Sequence, residues 1–370
     1  MIRPIKLDAA EPAPPCPGMT TDIPRHLALQ ARACEALGSP FSAGLLDRAA
    51  EAYERETVLQ QAFRPWRRLG LRELFAEAVA LRWLGALHDH ALANSDSALA
   101  SAYPAAGRPG DPEAAWAQAL PAMVERRSCI ARFMRHEPQT NEVGRSAVLL
   151  PGFLEIAAGG GPPMRLLEVG ASAGLNLLWD RRRYRLGEVG VWGPHDATLA
   201  IETEWRGKAP ALHSRPRIAA RQACDRRPVR LADPVQRRRL RAFVWPDQFD
   251  RAGRLDTAVV ETLAARLHVT RADAPTWLRH HAAPVNGRTT VVFHSVFFQY
   301  MPAEGRRAMT DVLEAYGADT TVQRPLAWLR MEPSADNPAI MELRLTRWPD
   351  GGERLLATAH PHGAWIEWLD

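Results

Sequence analysis

The sequence predicts an α/β protein preceded by an all-helical region, on three observations. Apolar residues from Thr21 to about Gly160 recur at helical spacing, as in Leu27, Ala31 and Cys34. At Met164 the period changes, and short apolar runs begin to alternate with helical stretches. Between the first such run and the next helical stretch lies the small-residue turn of RLLEVGASAGLNLLWD, residues 165–180.

The helical part reads as a lid or substrate domain over residues 21–160. Leu71, Leu74, Phe75 and Ala78 share one face, and Ser42 is placed to cap a helix carrying Leu45, Leu46, Ala49 and Tyr53. Residues 94–112 have the Ser, Gly, Pro and Asp density of a loop, before helices around 114–136 and 143–158. Residues 1–20 are proline-rich and expected to be disordered, with Met19 a possible natural start.

From 161 to 370 the expected strands are 165–169, 217–220, a run near 267–274, 289–294, 325–331, 342–348 and 354–359. The last two flank ProAspGlyGly at 349–352 and make a C-terminal antiparallel hairpin. A mostly parallel sheet closed by such a hairpin is the methyltransferase-type Rossmann arrangement. An insertion near 183–214 is expected to loop out.

Composition narrows the function classes. With 370 residues and 46% hydrophobic content, the chain can build two cores. All but two of its 47 basic residues are arginine, and the net charge is +5. Runs such as Arg181–Arg183, Arg226–Arg227 and Arg237–Arg239 are scattered among acids, so no nucleic-acid footprint is indicated. Cys16, Cys34, Cys129 and Cys224 form no CxxC pair, which excludes a zinc ribbon or a disulfide framework and fits a reducing cytoplasm. No run of about 20 apolar residues suggests a membrane span or secretory leader.

The turn after the first strand carries the chemistry. Gly170 and Gly174 allow a sharp turn and close approach of a ligand to the backbone, and Asn176 opens the expected helix. A nicotinamide fingerprint would need glycine where Ser172 and Leu175 stand. The pattern acid-x-Gly-x-Gly-x-Gly of S-adenosylmethionine enzymes is matched at Glu168, Gly170 and Gly174, with Ser172 as the departure. Glu168 could receive the cationic amino group of a methionine moiety through water.

Other residues are assigned by position. Asp225, or the nearer Glu202 and Glu204, would bind the ribose, and Asp273 would meet the adenine amine or cap the next helix. His294, at the end of the fourth strand, is the candidate general base, with Glu142 and Tyr300 as further catalytic candidates. Asn141, Arg145, Trp245, Asp247 and Gln299 are candidates for the substrate side. His360 and His362 face one way in an extended segment, but no adjacent third ligand completes a metal site.

The motifs TNEVGRSA, LLEVGASAGLNLLWDRRRY, RAFVWPDQ, FHSVFFQYMP, PLAWLRMEP and HPHGAW resemble those of the bacterial domain-of-unknown-function family 2332, from about Thr21 to Trp368. That resemblance implies a methyltransferase-like fold and assigns no reaction. The chain departs from the family at RQACDRRP, 221–228, where relatives read more like GlyxAspxxPro. The function expected is S-adenosylmethionine-dependent methyl transfer to a small molecule. The alternatives are an inactive binding or scaffold protein of the same fold, and a metal-dependent hydrolase using His294, His360 and His362.

Overall fold

The computed structural model describes residues 21–158 and 160–369; the segment expected to be disordered, 1–20, lies outside the described residues. The helices before the sheet are α1 (Ile23–Ala36), α2 (Pro40–Ala52), α3 (Thr57–Phe63), α4 (Leu71–Ala76), α5 (Val79–Ala93), α6 (Ala98–Ala102), α7 (Pro112–Glu125), α8 (Arg127–Phe133) and α9 (Arg145–Ala157). Then come β1 (Met164–Val169), β2 (Arg183–Leu186), β3 (Gly190–Trp192), β4 (Ala200–Arg206), β5 (Ile218–Asp225), α10 (Pro234–Ala242) and α11 (Phe249–Ala264). The chain continues through β6 (Val269–Arg271), α12 (Ala274–His281), β7 (Thr289–Ser295), α13 (Ala303–Ala318), β8 (Leu326–Pro333), β9 (Met341–Trp348), β10 (Gly352–Ala359) and β11 (Trp365–Trp368).

Two compact units result. Among the described residues the helical one comprises residues 21–140 together with 233–252, and the sheet-bearing one comprises 141–158, 160–232 and 253–369. The boundary at 160 expected from periodicity therefore moves back to 140. The reason is α9, whose Ala147, Val148, Leu149, Leu150, Phe153 and Leu154 are all buried, leaving no polar face for solvent. A helix apolar on all sides must be enclosed, and α9 packs on β8 and β9.

In the helical unit Leu27, Leu45, Leu46, Leu59, Phe63, Trp83, Leu87 and Phe243 join one core. The face predicted for α1 is the buried one: Leu27, Ala31 and Cys34 are at most 1% exposed. Ser42 is not a cap. Helix α2 starts at Pro40 after Ser39, because proline supplies the fixed φ of a first helical residue, and Ser42 is buried inside the helix. The capping acceptor comes instead from Asp247, whose Oδ2 accepts the Phe41 amide at 2.9 Å while Oδ1 accepts the Ser39 hydroxyl at 2.5 Å.

The other unit carries, among the described residues, one eleven-stranded sheet in the order β3-β2-β4-β11-β10-β9-β8-β7-β1-β5-β6. It is mixed: β6, β5, β1, β7 and β8 are mutually parallel, while β8, β9, β10 and β11 run as an antiparallel meander. The expected hairpin is β9–β10. Strand β7 is buried along all but its last residue, as a strand covered on both faces must be. One cover is α12 and α13, whose Trp277, Leu278, Met309 and Leu313 meet Leu167, Val169 and Val292. On the other, Phe153 of α9 stacks on Trp179 at 4.2 Å between ring centroids and meets Phe293 edge-on at 5.2 Å.

Residues 183–214 do not loop out. They form β2, β3 and β4, which extend the sheet, with β4 parallel to β11. Alternation dictates this: Ile201, Thr203 and Trp205 point inward and their neighbours outward, the period-two pattern of a half-buried strand. The helix expected after the glycine turn is also replaced, by a 3₁₀ segment, Leu175–Arg181, with Leu178 off helical geometry. Leu175, Asn176, Leu177, Leu178 and Trp179 are all buried, and only the segment's end, at Asp180 and Arg181, reaches solvent.

Candidate functional site

Beyond Val169 the backbone turns through three left-handed residues, Gly170 (φ +66°), Ser172 (φ +54°) and Gly174 (φ +76°). Glycine adopts this region freely; a serine there is strained and must be held. Ser172 is held twice. Its amide donates to Asp225 Oδ2 at 2.8 Å, and its carbonyl accepts the Val229 amide at 3.0 Å. Ser172 thus takes the backbone conformation that the missing glycine would have supplied.

Asn141 straps the same turn from another side. Its Oδ1 accepts the amides of Ala173 at 3.0 Å and Leu175 at 3.2 Å. It is a brace of the turn, not the substrate contact expected from its sequence position. Glu142 is likewise buried, with Oε1 accepting the Gly144 amide at 3.0 Å, and Arg145 Nε donates to the Pro361 carbonyl at 3.1 Å. The Arg145 bond ties the start of α9 to the HPHG segment, and neither residue lines the cavity at the sheet's carboxyl edge. Asn176 points inward, donating to the Glu142 carbonyl at 3.3 Å, and does not line that cavity, as a cofactor contact would.

A cavity of about 340 Å³ opens at the carboxyl ends of β1, β5 and β6, lined among others by Gly170, Asp225, Asp273, Thr276, Phe297 and Tyr300. This is where open parallel sheets bind ligands, since strand ends and the turns leaving them present unpaired backbone and converging side chains. Asp225 ends β5, beside β1, with Oδ1 accepting the Arg227 amide at 2.7 Å. Each of its oxygens thus holds one amide and keeps a second lone pair. Asp273 caps α12, accepting the Thr276 amide at 3.4 Å and its hydroxyl at 3.2 Å, and also faces the cavity.

Beneath the turn, Glu168 is 3% exposed and its Oε2 has no hydrogen-bond partner; the Ser172 hydroxyl is equally orphaned. Burial pushes the Glu168 carboxyl up to about 8, against the pull of Arg182 and with a smaller push from Asp225. Arg182 is fully buried and donates to the Ser146 hydroxyl at 3.1 Å and to the Leu175 carbonyl, bracing the 3₁₀ segment from within.

His294 is not placed as a general base. It is fully buried, with Nδ1 2.6 Å from Glu332 Oε1 and Nε2 accepting the Trp328 indole N–H at 3.1 Å. Both ring nitrogens are committed, so neither can take a proton from a substrate. Tyr300, 58% exposed, stays at the cavity mouth; Gln299 is exposed and outside its lining. Trp245 and Asp247 belong to the helical unit, where Asp247 caps α2 and Arg251 lies over the Trp245 ring at 5.9 Å. In that setting Asp247 serves a helix start, not an acceptor pocket. The His362 amide donates to His360 Nδ1 at 3.0 Å, and among the described residues no three His, Cys, Asp or Glu side chains are grouped to hold a metal.

Met301, Arg279 and Glu304 on the cavity wall, and Glu332, which holds His294, carry no sequence signal that marks them out. Phe297, on the same wall, has one in the aromatic pair following His294. A Cβ on Gly170 would run into its ring, so Phe297 lies directly on the glycine.

A family model described as "Uncharacterized protein conserved in bacteria (DUF2332)" matches residues 25–368. The chain belongs to this bacterial family. No curated protein and no solved structure matches it. The DUF2332 match spans the helical unit as well as the sheet. Among the described residues no helix is long and apolar enough to cross a membrane.

Proposed function

We propose that the cavity at the ends of β1, β5 and β6 binds S-adenosylmethionine and that this DUF2332 protein methylates a small-molecule acceptor. The observation that carries the reading is Asp225: a carboxylate ending the strand beside β1, facing one cavity with Gly170 and keeping a lone pair on each oxygen. That is the position and chemistry a ribose diol requires. The parallel order β6-β5-β1-β7-β8, followed by antiparallel β9, supports a methyltransferase-type Rossmann sheet. The meander and the three added strands depart from that plan, as does the 3₁₀ segment after the turn.

The residues suit the cofactor. Asp225 would accept the ribose hydroxyls and Asp273 the adenine amine, while Phe297 and Met301 supply apolar wall that excludes water. Glu168, buried with an orphaned oxygen and protonated in the free protein, would have to give up that proton to balance the cofactor's positive charge. When bound, the cofactor supplies an electrophilic methyl group on a sulfonium. The chain's own contribution is alignment of the acceptor and desolvation, with Tyr300 at the mouth and no histidine base.

A second reading, a binding protein without turnover, is favoured by the locked state of His294. Methyl-labelled S-adenosylmethionine incubated with the protein and a bacterial small-molecule extract separates the two. Label moving into the small-molecule fraction supports methyl transfer. Binding without transfer supports the second reading, and label moving only to protein or nucleic acid contradicts the proposed acceptor class.

A further inference from the structure

The helical unit has a cavity of its own, about 330 Å³, between α5, α8 and α10. Its apolar surface comes from Ala86, Ile130, Phe133 and Val235. Around this stand the guanidinium groups of Arg126, Arg132, Arg238 and Arg239 and the imidazoles of His90 and His136, with Asp89 as the one acid in the lining. That acid is already used, accepting Arg238 Nε at 2.9 Å. Arg126 pairs with its neighbour Glu125, at 3.0 Å, outside the lining. Among the described residues neither Arg132 nor Arg239 has a carboxylate within ion-pair distance: Arg132 meets Cys129 Sγ at 3.6 Å and Arg239 meets His136 Nε2 at 3.4 Å.

We propose that this cleft is a second ligand site, for a small organic oxyanion with an apolar body. Arg126 and Arg238 each have a carboxylate partner, whereas among the described residues Arg132 and Arg239 lack one within ion-pair distance, so an anion in the cleft would meet two guanidinium forks at once. Guanidinium forks match the paired oxygens of phosphate or carboxylate. Burial lowers the pKa of the half-buried Arg239 against the pull of Asp233 and Asp89, and burial with Arg126 lowers that of His90 against Glu125 and Asp89. A nucleic-acid surface would spread such charge over an open face, whereas here it rims a cleft of single-molecule size with an apolar floor. The site is independent of the proposed cofactor pocket, because every lining residue lies in the helical unit.

Calorimetry on the full chain with phenyl phosphate, benzoate, inorganic phosphate, phenol and a single-stranded oligonucleotide tests this. Phenyl phosphate or benzoate should bind, more tightly than inorganic phosphate and with an affinity that falls as salt rises, while phenol should not. Arg132→Gln and Arg239→Gln should each weaken binding about tenfold. Arg132 is exposed, so its variant keeps the fold, and Arg217→Gln on the sheet-bearing unit should change nothing. Phenol binding as well as phenyl phosphate, no binding of any anion, or unchanged affinity in both variants would overturn the proposal. So would tight oligonucleotide binding that phenyl phosphate cannot displace, which would assign the cleft to nucleic acid.

Discussion

Glu332 holds His294 and the backbone after β7 with a single carboxylate: Oε1 accepts His294 Nδ1–H at 2.6 Å and the Phe297 amide at 2.8 Å, and Oε2 accepts the Phe298 amide at 3.1 Å. Parallel pairing of β7 with β8 sets His294 opposite Arg330, two residues before Glu332, so the register brings the pair together. The consequence is positional, because the same carboxylate fixes Phe297 over Gly170. Glu332→Ala leaves a buried imidazole N–H and two amides without an acceptor and should cost roughly 3 kcal/mol of stability. His294→Ala should cost about 2–4 kcal/mol and leave the rate per folded molecule little changed. Chemical denaturation checks both, and a His294→Ala protein of normal stability but lost turnover would restore the catalytic reading.

Asn141→Ala removes the shared acceptor of two amides in the glycine turn and should destabilise by about 1–2 kcal/mol, with weaker ligand binding as the turn loosens. Asn141→Asp keeps the acceptor oxygen and should retain most of the stability. Equal melting temperatures for Asn141→Ala and the parent would show that the brace is unimportant.

Glu168 gives a pH dependence whose sign can be worked out. Its folded-state pKa, about 8, lies above the ordinary value of 4.5, so the folded protein keeps a proton that the unfolded chain loses. Stability from this group is complete below 4.5 and is lost as pH rises towards 8. Glu168→Gln, neutral at every pH, should therefore melt about 2–4 °C above the parent at pH 8.5 and near it at pH 5. Melting curves across that range decide it; a constant difference between the two proteins would contradict the burial of an unpaired carboxyl.

His88 acts in the opposite direction. It is buried, its Nδ1 lies 3.1 Å from the Ala242 carbonyl oxygen, and burial lowers its pKa to about 4. The unfolded chain takes up a proton near pH 6.5 and the folded one does not, so stability is lost as pH falls from 6.5 towards 4. His88→Phe should flatten the acid limb of the melting profile, even where it lowers stability at pH 7.5. An unchanged acid limb would place the sensitive group elsewhere.

Strands β1 and β5–β10 were legible in sequence as short apolar runs, and β1 with its glycine turn announced the edge where the cavity lies, whereas β2–β4 read as an insertion and β11 gave no distinct signal. The turn's supports were not legible. Asn141 and Asp225 are polar residues beside a small-residue loop, and sequence alone cannot distinguish an acceptor used by a ligand from one used by a nearby amide. His294 misled for a related reason: its partners Trp328 and Glu332 stand on the adjacent strand, 34 and 38 residues away, and only the register shows that both ring nitrogens are spent. Asp247 misled because the helix it caps is about 200 residues earlier in the chain.

Titration calorimetry with S-adenosylmethionine and S-adenosylhomocysteine tests whether the proposed cavity at the ends of β1, β5 and β6 holds the cofactor. Gly170→Val is a poor probe, since the added side chain meets Phe297 and the positive φ strains any residue but glycine. Ala308→Trp is better, because it fills the cavity from α13 while keeping a helix-compatible residue. Asp273→Asn, which still caps α12, tests the adenine contact. The parent should bind one-to-one, Ala308→Trp should not bind, and Asp273→Asn should bind roughly tenfold more weakly. No heat with either ligand, or binding that Ala308→Trp leaves intact, would contradict cofactor binding there.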